Sequence, residues 1–522
     1  MTKRPNFLFI ITDQQRADWL GCYGHPVLKT PNIDSIAAQG TRFDNFHAAS
    51  PVCMPNRASI MTGRMCSNHG ARHNGIPLSK DHTTFVELLR DAGYRTGLIG
   101  KSHLQSFTGL PATNKYEVSE GLQAPSPELR DAIKNNRHGP EYDLEVVPKW
   151  TTPIADRMDE TFYGFEHVEI AADHADKADS DYKLWAKQQR NDFEDLVGPE
   201  NALEDDSINA PQAWRTAVPE ELYSTNWIAD RSEAFLADKA DGDEPFFLQM
   251  SFPDPHHPFT PPGRYWDMYD PADIELPATF GKGDLPPIKA MREAMEAGTD
   301  PRDNQSPFAV TEDEARAIIA LTYGMITMID DAVGRVLKRL DDLGLAEDTI
   351  VIFTSDHGDY MGDHGTVLKH GLHSHGLIRV PLIWNDPAGP GAHARSIQGS
   401  AIDFAPTILQ RAGVKVPYGM QGRDLLGENA PNLPVLIEDA GLGFASDDGN
   451  TASRTLVHEN WRMSVFEGSE LGELFNLAED PHELRNLWAD PVAASQKAHL
   501  MHQLALRMLA LRDTSLSPTH QA

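Results

Sequence analysis

Residues able to do chemistry collect at a few places in this chain. Cys53 lies in Ser50-Pro51-Val52-Cys53-Met54-Pro55-Asn56-Arg57-Ala58-Ser59-Ile60-Met61-Thr62-Gly63-Arg64. It stands just ahead of a predicted helix over residues 56–62, whose N-terminal amides would favour an anion. Asp13 follows a short apolar run at residues 6–12, Asp356 and His357 follow another at 349–354, and Pro253-Asp254-Pro255-His256-His257-Pro258 follows a third at 246–252. Carboxylates and imidazoles gathered past strand ends could hold a cation or move protons. Each has a plain structural alternative. A cysteine is usually a small buried hydrophobe, which is how Cys22 and Cys66 read, and Asp-His-Gly after a strand is often only a turn.

The elements that must position these residues set the fold class. The three apolar runs, NFLFIIT, FFLQMSF and TIVIFT, are short and rich in β-branched and aromatic residues, and are predicted to be buried strands. Thr311-Glu312-Asp313-Glu314 has capping-box form. It opens a helical pattern with apolar residues at Ile319, Tyr323, Ile326, Ile329, Val333, Val336 and Leu340, and Gly344 suits its end. Strand, helix and strand again is the order of an α/β sheet, whose ligands gather beyond the carboxyl ends of the strands. Residues 110–230, with Trp150, Trp185, Trp214 and Trp227 scattered through them, read as loops and short helices, and 276–308 as a Pro- and Gly-rich connection. After about residue 425 short candidate strands (435–437, 455–458, 462–466) precede a helical pattern over 492–511. The expectation is a large α/β domain over residues 1–425 and a small C-terminal α+β domain over 426–522.

With 522 residues, 40% of them hydrophobic, the chain can bury a sizeable core. A formal net charge of −31 argues against nucleic acid or a membrane surface as partner, since neither polyanion releases counterions to so acidic a protein. An anionic substrate would need its own cluster of cations. Cys22, Cys53 and Cys66 make no disulfide framework in so long a chain. The basic start Met1-Thr2-Lys3-Arg4 is followed by an apolar run too short for a signal peptide, interrupted at Asp13. No run approaches the roughly 18 consecutive apolar residues of a membrane span, so the expected address is the cytoplasm.

The Cys53 segment resembles the sulfatase signature, Cys-x-Pro-x-Arg followed by Thr-Gly-Arg. Gly93-Tyr94-Arg95-Thr96-Gly97-Leu98-Ile99-Gly100-Lys101-Ser102-His103-Leu104 is similar to the second sulfatase signature, Gly-Tyr-x-Thr…Gly-Lys-x-His. Further landmarks follow in family order: Asp13-Gln14, Pro255-His256-His257-Pro258, Ser355-Asp356-His357-Gly358, Lys369 ahead of Ile378-Arg379-Val380-Pro381, and Glu473-Leu474-Phe475-Asn476-Leu477…Asp480-Pro481-His482-Glu483-Leu484. Over most of its length the chain thus resembles the type I, formylglycine-dependent sulfatases of the alkaline phosphatase-like superfamily. The fold this implies is a large mixed, mainly parallel sheet flanked by helices.

The resemblance implies that a formylglycine-generating enzyme oxidises Cys53, and that the product hydrolyses alkyl or aryl sulfate monoesters with S–O cleavage. Of the two hydroxyls on the hydrated aldehyde, one attacks sulfur. The other is later deprotonated to expel sulfate, a route that serine lacks. The implied metal set is Asp13, Cys53, Asp356 and His357, holding one divalent ion that lowers the hydroxyl pKa and polarises a sulfuryl oxygen. Oxygen-rich ligation with one imidazole suits calcium first, with magnesium or manganese as alternatives. Many sulfatases have a second Asp where this chain has Gln14 and an Asn where it has His357; Gln14 can still offer an amide oxygen. By resemblance Arg57 holds the nucleophile, Lys101 and Lys369 clamp sulfate oxygens, His256 helps Lys369 protonate the leaving oxygen, and His103 is the base. Asn74 matches a substrate-contact position, and a turn-forming Asn-Gly reads nearly as well. Arg72, His73, His257, His364, His370, His373 and His375 stay outside the catalytic set.

Two other readings stand beside this one. Phosphonate monoester hydrolases and phosphodiesterases of the superfamily also use formylglycine, and the Asp-Gln and Asp-His pairs resemble theirs, whereas Gly100-Lys101-Ser102-His103 has the sulfatase form. The other is a non-catalytic protein that binds sulfate esters. A small substrate and assembly into a homo-oligomer, common among related soluble enzymes, complete the expectation.

Overall fold

The computed structural model describes residues 4–110, 137, 139–240, 242–283, 285–440 and 452–515. Its strands in chain order are β1 (Asn6–Thr12), β2 (Thr41–His47), β3 (Arg95–Gly100), β4 (His167–Ala172), β5 (Asp179–Ser180), β6 (Phe246–Ser251), β7 (Phe308–Ala309) and β8 (Thr349–Ser355). After them come β9 (Thr366–Val367), β10 (Leu382–Asn385), β11 (His393–Ser400), β12 (Val435–Asp439), β13 (Ser453–His458), β14 (Trp461–Phe466) and β15 (Gly472–Asn476). One nine-stranded sheet has the order β11-β2-β10-β8-β1-β6-β3-β4-β5, and β12 to β15 form a separate four-stranded sheet.

In the large sheet β8, β1, β6, β3 and β4 run parallel. β10 is antiparallel to β8 and β2, β5 is antiparallel to β4, and β11 is parallel to β2. This is the mixed, mainly parallel sheet expected. β12 to β15 are antiparallel throughout, and with the helix Ala494–Ala510 they give the α+β texture expected of the C-terminal part.

β1 is buried at every position, as a strand covered on both faces must be. Phe7, Phe9 and Ile11 enter one core with Ile350, Ile352 and the helix Phe404–Arg411. Leu8 and Ile10 enter the other with Val351, Phe353 and the helices Ser224–Lys239 and Glu312–Asp342. The strand period of two assigns alternate residues to opposite faces, so β1 is clamped between two helical layers. The helix Glu312–Asp342 opens with the expected capping box, Glu314 N–H donating to Thr311 Oγ1 at 3.3 Å and Thr311 N–H to Glu314 Oε2 at 2.9 Å. By length and composition this helix could cross a membrane, but 83% of its most apolar stretch is buried inside the fold.

Three expectations change. The helix after Val52 begins at Cys53 rather than at residue 56; Pro55 falls in its first turn, where a missing N–H leaves no intrahelical bond unmade. Residues 110–230 are more than loops and short helices, for β4 and β5 extend the sheet and the 16-residue helix Ser224–Lys239 covers it. The part of that region at 111–136 and 138, like residues 1–3, lies outside the described residues. The 276–308 connection contains a helix, Pro286–Ala297, that starts on its prolines and stops at left-handed Gly298.

Candidate active site

Adjacent parallel strands deliver their functional groups to one edge: Asp13 past β1, Asp356 and His357 past β8, His256 past β6, Lys101 and His103 past β3, and His174 past β4. Backbone bonds lock these ends together. Asp13 N–H donates to the Asp254 carbonyl at 3.1 Å, Asp356 N–H to the Thr12 carbonyl at 3.1 Å and Lys101 N–H to the Ser251 carbonyl at 2.9 Å. Gly100 has φ +103°, and a Cβ there would lie 1.9 Å from the Ser251 oxygen. The approach of β3 to β6 beside Lys101 therefore needs glycine.

Cys53 is the first residue of the helix Cys53–Thr62 and is buried. Its Sγ lies 3.0 Å from Lys369 Nζ, 3.2 Å from His357 Nε2 and 3.6 Å from Asp13 Oδ1. His357 Nδ1 is 2.8 Å from the Gly358 carbonyl, to which it donates, so Nε2 faces the sulfur. Ligand atoms of Asp13, Cys53, Asp356 and His357 all fall within 4.8 Å of one another.

Arg57 ties the two carboxylates together. Its Nε donates to Asp356 Oδ2 at 2.7 Å and one terminal nitrogen to Asp13 Oδ2 at 3.4 Å, while the other donates to the Lys101 carbonyl at 3.0 Å and Ser251 Oγ at 2.9 Å. Among the described residues it makes no hydrogen bond to Cys53; it fixes the groups on which the sulfur rests. Lys101 Nζ donates to Asp13 and lies 2.6 Å from His174 Nε2. Lys369 Nζ donates to His256 Nε2 at 2.7 Å, the other ring nitrogen of His256 being 2.6 Å from the His257 carbonyl.

Three buried cations, Arg57, Lys101 and Lys369, give an otherwise acidic protein the local positive field that an anionic substrate requires. Burial would raise the Asp13 pKa, but Lys101, Lys369 and Arg57 hold it well below the usual carboxylate range. Burial and Asp13 push the Cys53 thiol up, and Lys369, Lys101 and His357 more than offset them. Burial and neighbouring charges hold His103 and His256 well below the usual imidazole range. Both rings are therefore neutral near pH 7; His103 keeps an unpartnered ring nitrogen, whereas both nitrogens of His256 are engaged.

His103 is held by a residue that motif reading does not single out. Buried Glu145 accepts the His103 N–H at 2.8 Å and the Gln105 N–H at 2.7 Å, fixing a loop in which His103 has φ +58°. The His103 ring stacks on Phe107 at 4.0 Å, and Nδ1 has no partner among the described residues. Burial pushes the Glu145 carboxyl up to about 7, against the pull of the loop amides. Because the folded state then binds the proton more tightly than the unfolded chain, the stabilisation from Glu145 is complete below about pH 4. It is lost as pH rises through about 7, a decline of about 3 kcal/mol. Urea unfolding at several pH values should show wild type losing this much relative to Glu145→Gln between acid and neutral pH; parallel curves would refute the assignment.

The structure thus brings together Asp13, Cys53, Arg57, Lys101, His256, Asp356, His357 and Lys369. His103 lies in the Lys101 loop without a hydrogen bond to Cys53. Asn74 Oδ1 accepts the Met54 N–H at 3.3 Å, one residue beyond Cys53, so the residue sits at the helix start. Gln14, with φ +66°, donates from its amide to Asp359, and its Oε1 is buried without a partner among the described residues. His174 is missed by motif reading, yet it stacks on His256 at 3.5 Å and forms a second close group with Asp13 and His256. The signal was present: HVEIAA followed by Asp173-His174 repeats the order of strand, then Asp-His, seen at Asp356.

A buried cysteine at a helix N-terminus, paired carboxylates and flanking cations on one edge of a mixed sheet make a site fitted to an anionic ester, and comparison with known proteins places the chain in the alkaline phosphatase-like superfamily. The family model described as Sulfatase matches residues 5–414, and the chain belongs to the sulfatase family of sulfuric ester hydrolases. A second model, N-sulphoglucosamine sulphohydrolase, C-terminal, matches residues 362–512. The chain is 30% identical over 498 residues to an arylsulfatase of Clostridium perfringens, covering 93% of this chain and 90% of that one. It is 29% identical over 526 residues to the multifunctional alkaline phosphatase superfamily protein PehA of Trinickia caryophylli, with 94% and 93% covered. Among solved structures, the phosphonate monoester hydrolase of Agrobacterium radiobacter superposes with a TM-score of 0.73 at 26% identity, over 98% of this chain and 97% of that one.

The family implies a metal ion and formylglycine, and the residues present fit both. The Asp13, Cys53, Asp356 and His357 ligand atoms converge, and the orphaned Gln14 Oε1 adds a buried acceptor of the kind a hard cation satisfies.

Proposed function

We propose that the chain hydrolyses alkyl or aryl sulfate monoesters with S–O cleavage, the nucleophile arising from Cys53. The observation that carries this reading is Cys53 Sγ seated between Lys369 Nζ and His357 Nε2, with Asp13 and Asp356 converging on it. Oxidised to formylglycine by its maturation enzyme, Cys53 supplies a hydrated aldehyde with one hydroxyl for attack and one for release. A divalent ion held by Asp13, Asp356, His357 and the modified Cys53, calcium by the oxygen-rich donor set, supplies Lewis acidity at that hydroxyl.

The side chains do the rest. Lys101 and Lys369 present ammonium groups to the sulfuryl oxygens as negative charge concentrates there. Lys369 also donates to His256 Nε2, and this pair is placed to deliver a proton to the departing oxygen. Arg57 bonds to both carboxylates and keeps them oriented. Neutral His103, aligned by Glu145, takes the proton whose removal releases sulfate. The setting we propose is reducing and cytoplasmic, with a small substrate; Cys22 and Cys66, neither in a disulfide, accord with a reducing compartment.

A second reading, phosphonate monoester or phosphodiester hydrolysis, is favoured by Gln14 and His357 and by the likeness to phosphonate monoester hydrolases. Lys101 and His103 favour the sulfate ester. Comparing kcat/KM on matched aryl sulfate and aryl phosphonate monoesters decides between them. The sulfate is expected to be the better substrate; a far better phosphonate, with no sulfate turned over well, would reverse the order.

A further inference from the structure

We infer that His174, just past β4, is a positioning residue for both lysines that flank Cys53: its Nε2 aims the Lys101 ammonium by a hydrogen bond, and its ring face holds His256, to which Lys369 donates. The inference rests on the sulfate-ester reading above and adds to it a residue that acts through others.

The backbone is shaped to turn this ring inward. β4 pairs in parallel with β3, the strand that ends at Lys101, so the two segments leave the sheet side by side. Asp173 and Ala175, on either side of His174, have φ +65° and +52°. Non-glycine residues hold left-handed backbone only where the surrounding structure enforces it. Here it leaves the His174 ring 7% exposed against the groups around Cys53.

Lys101 Nζ lies 2.6 Å from His174 Nε2. An ammonium group only donates, so Nε2 accepts and the ring proton sits on Nδ1, which donates to Asp173 Oδ1 at 3.2 Å. Lys101 also donates to Asp13. With two of its three N–H bonds committed, the third has a fixed direction, which a flexible four-carbon stem does not give by itself. On its face the His174 ring lies parallel to His256, centres 3.5 Å apart and planes within 11°, and His256 lies on His257 at 4.0 Å. His256 Nε2 accepts from Lys369 Nζ, which is 3.0 Å from Cys53 Sγ. Loss of the ring frees one end of that stack.

The test uses the full-length, fully modified and metal-loaded enzyme with 4-nitrophenyl sulfate and phenyl sulfate. His174→Phe keeps a ring against His256 and loses the acceptor; His174→Gln keeps an acceptor for Lys101 and loses the ring. His174→Phe should lower kcat/KM for both esters by a common factor of about 10-fold or more, yet cost less than about 3-fold in a Lys101→Ala background. His174→Gln should cost phenyl sulfate about 10-fold more than 4-nitrophenyl sulfate, because the poorer leaving group depends more on the proton that His256 and Lys369 supply. The assignment is overturned if the losses from His174→Phe and Lys101→Ala simply add, or if His174→Gln affects both esters alike, as a merely structural residue would; the sulfatase reading then stands. If wild type turns over neither ester, the sulfatase reading fails and the assignment with it.

Discussion

Replacing Cys53 with alanine lowers kcat for aryl sulfate hydrolysis by on the order of 10⁴- to 10⁶-fold, the range seen when a covalent nucleophile is removed. The loss should be nearly pure loss of function. Cys53 occupies the first position of its helix, where alanine is well tolerated, and Asp13 keeps its contacts with Lys101 and Arg57, so thermal unfolding should move little. Serine at the same position separates the two halves of the chemistry. It offers a hydroxyl for attack and no second one for release, so Cys53→Ser should take up at most one equivalent of sulfuryl group and stop. Intact-protein mass after incubation with an aryl sulfate reads this directly. The same method applied to the wild-type tryptic peptide 43–57 distinguishes thiol from aldehyde. Full turnover by Cys53→Ala would place the nucleophile elsewhere.

Replacing Arg57 with methionine produces the largest stability loss expected in the site, about 3–5 kcal/mol, because it strips a buried charge pair of one partner. Arg57 is 2% exposed and bonds to Asp356 and Asp13, both fully buried. Methionine fills much of the volume, but it leaves two carboxylates facing each other with less compensation and frees the Ser251 hydroxyl and the Lys101 carbonyl that Arg57 had bonded. The urea midpoint should fall at unchanged slope. Activity should fall about 100-fold or more, since the carboxylates lose their common brace. Arg57→Lys should recover part of the stability and little of the activity, for an ammonium cannot span both carboxylates with a planar fork. Equal stability of wild type and Arg57→Met would show that the carboxylates are balanced by other groups.

The legibility of this protein divides along a physical line. Short strands ending in Asp13 and Asp356, the capping box at Thr311 and the Cys53 and Gly100-Lys101-Ser102-His103 segments could be read directly, because backbone conformation at a cap, a strand end or a tight turn is set by neighbouring residues. The Cys53 helix starts three residues earlier than the predicted 56–62, with Pro55 in its first turn, where proline is tolerated. β4 and His174 were hidden because a six-residue strand in a polar region has too little pattern of its own and is defined by pairing with β3.

Sequence by itself therefore determined the family, the α/β class and nearly every residue that lines Cys53. Only the tertiary structure decided how those residues act on one another. Sheet order seats β1 between β8 and β6 and makes neighbours of strand ends far apart in the chain. Complete burial converts Lys101, Lys369 and Arg57 from ordinary surface cations into the field that holds Asp13 ionised. Docking of the C-terminal sheet brings Asp439 to the Lys369 loop. Desolvation and long-range packing have no local signature in the chain, because each depends on which distant segments come to cover a given side chain.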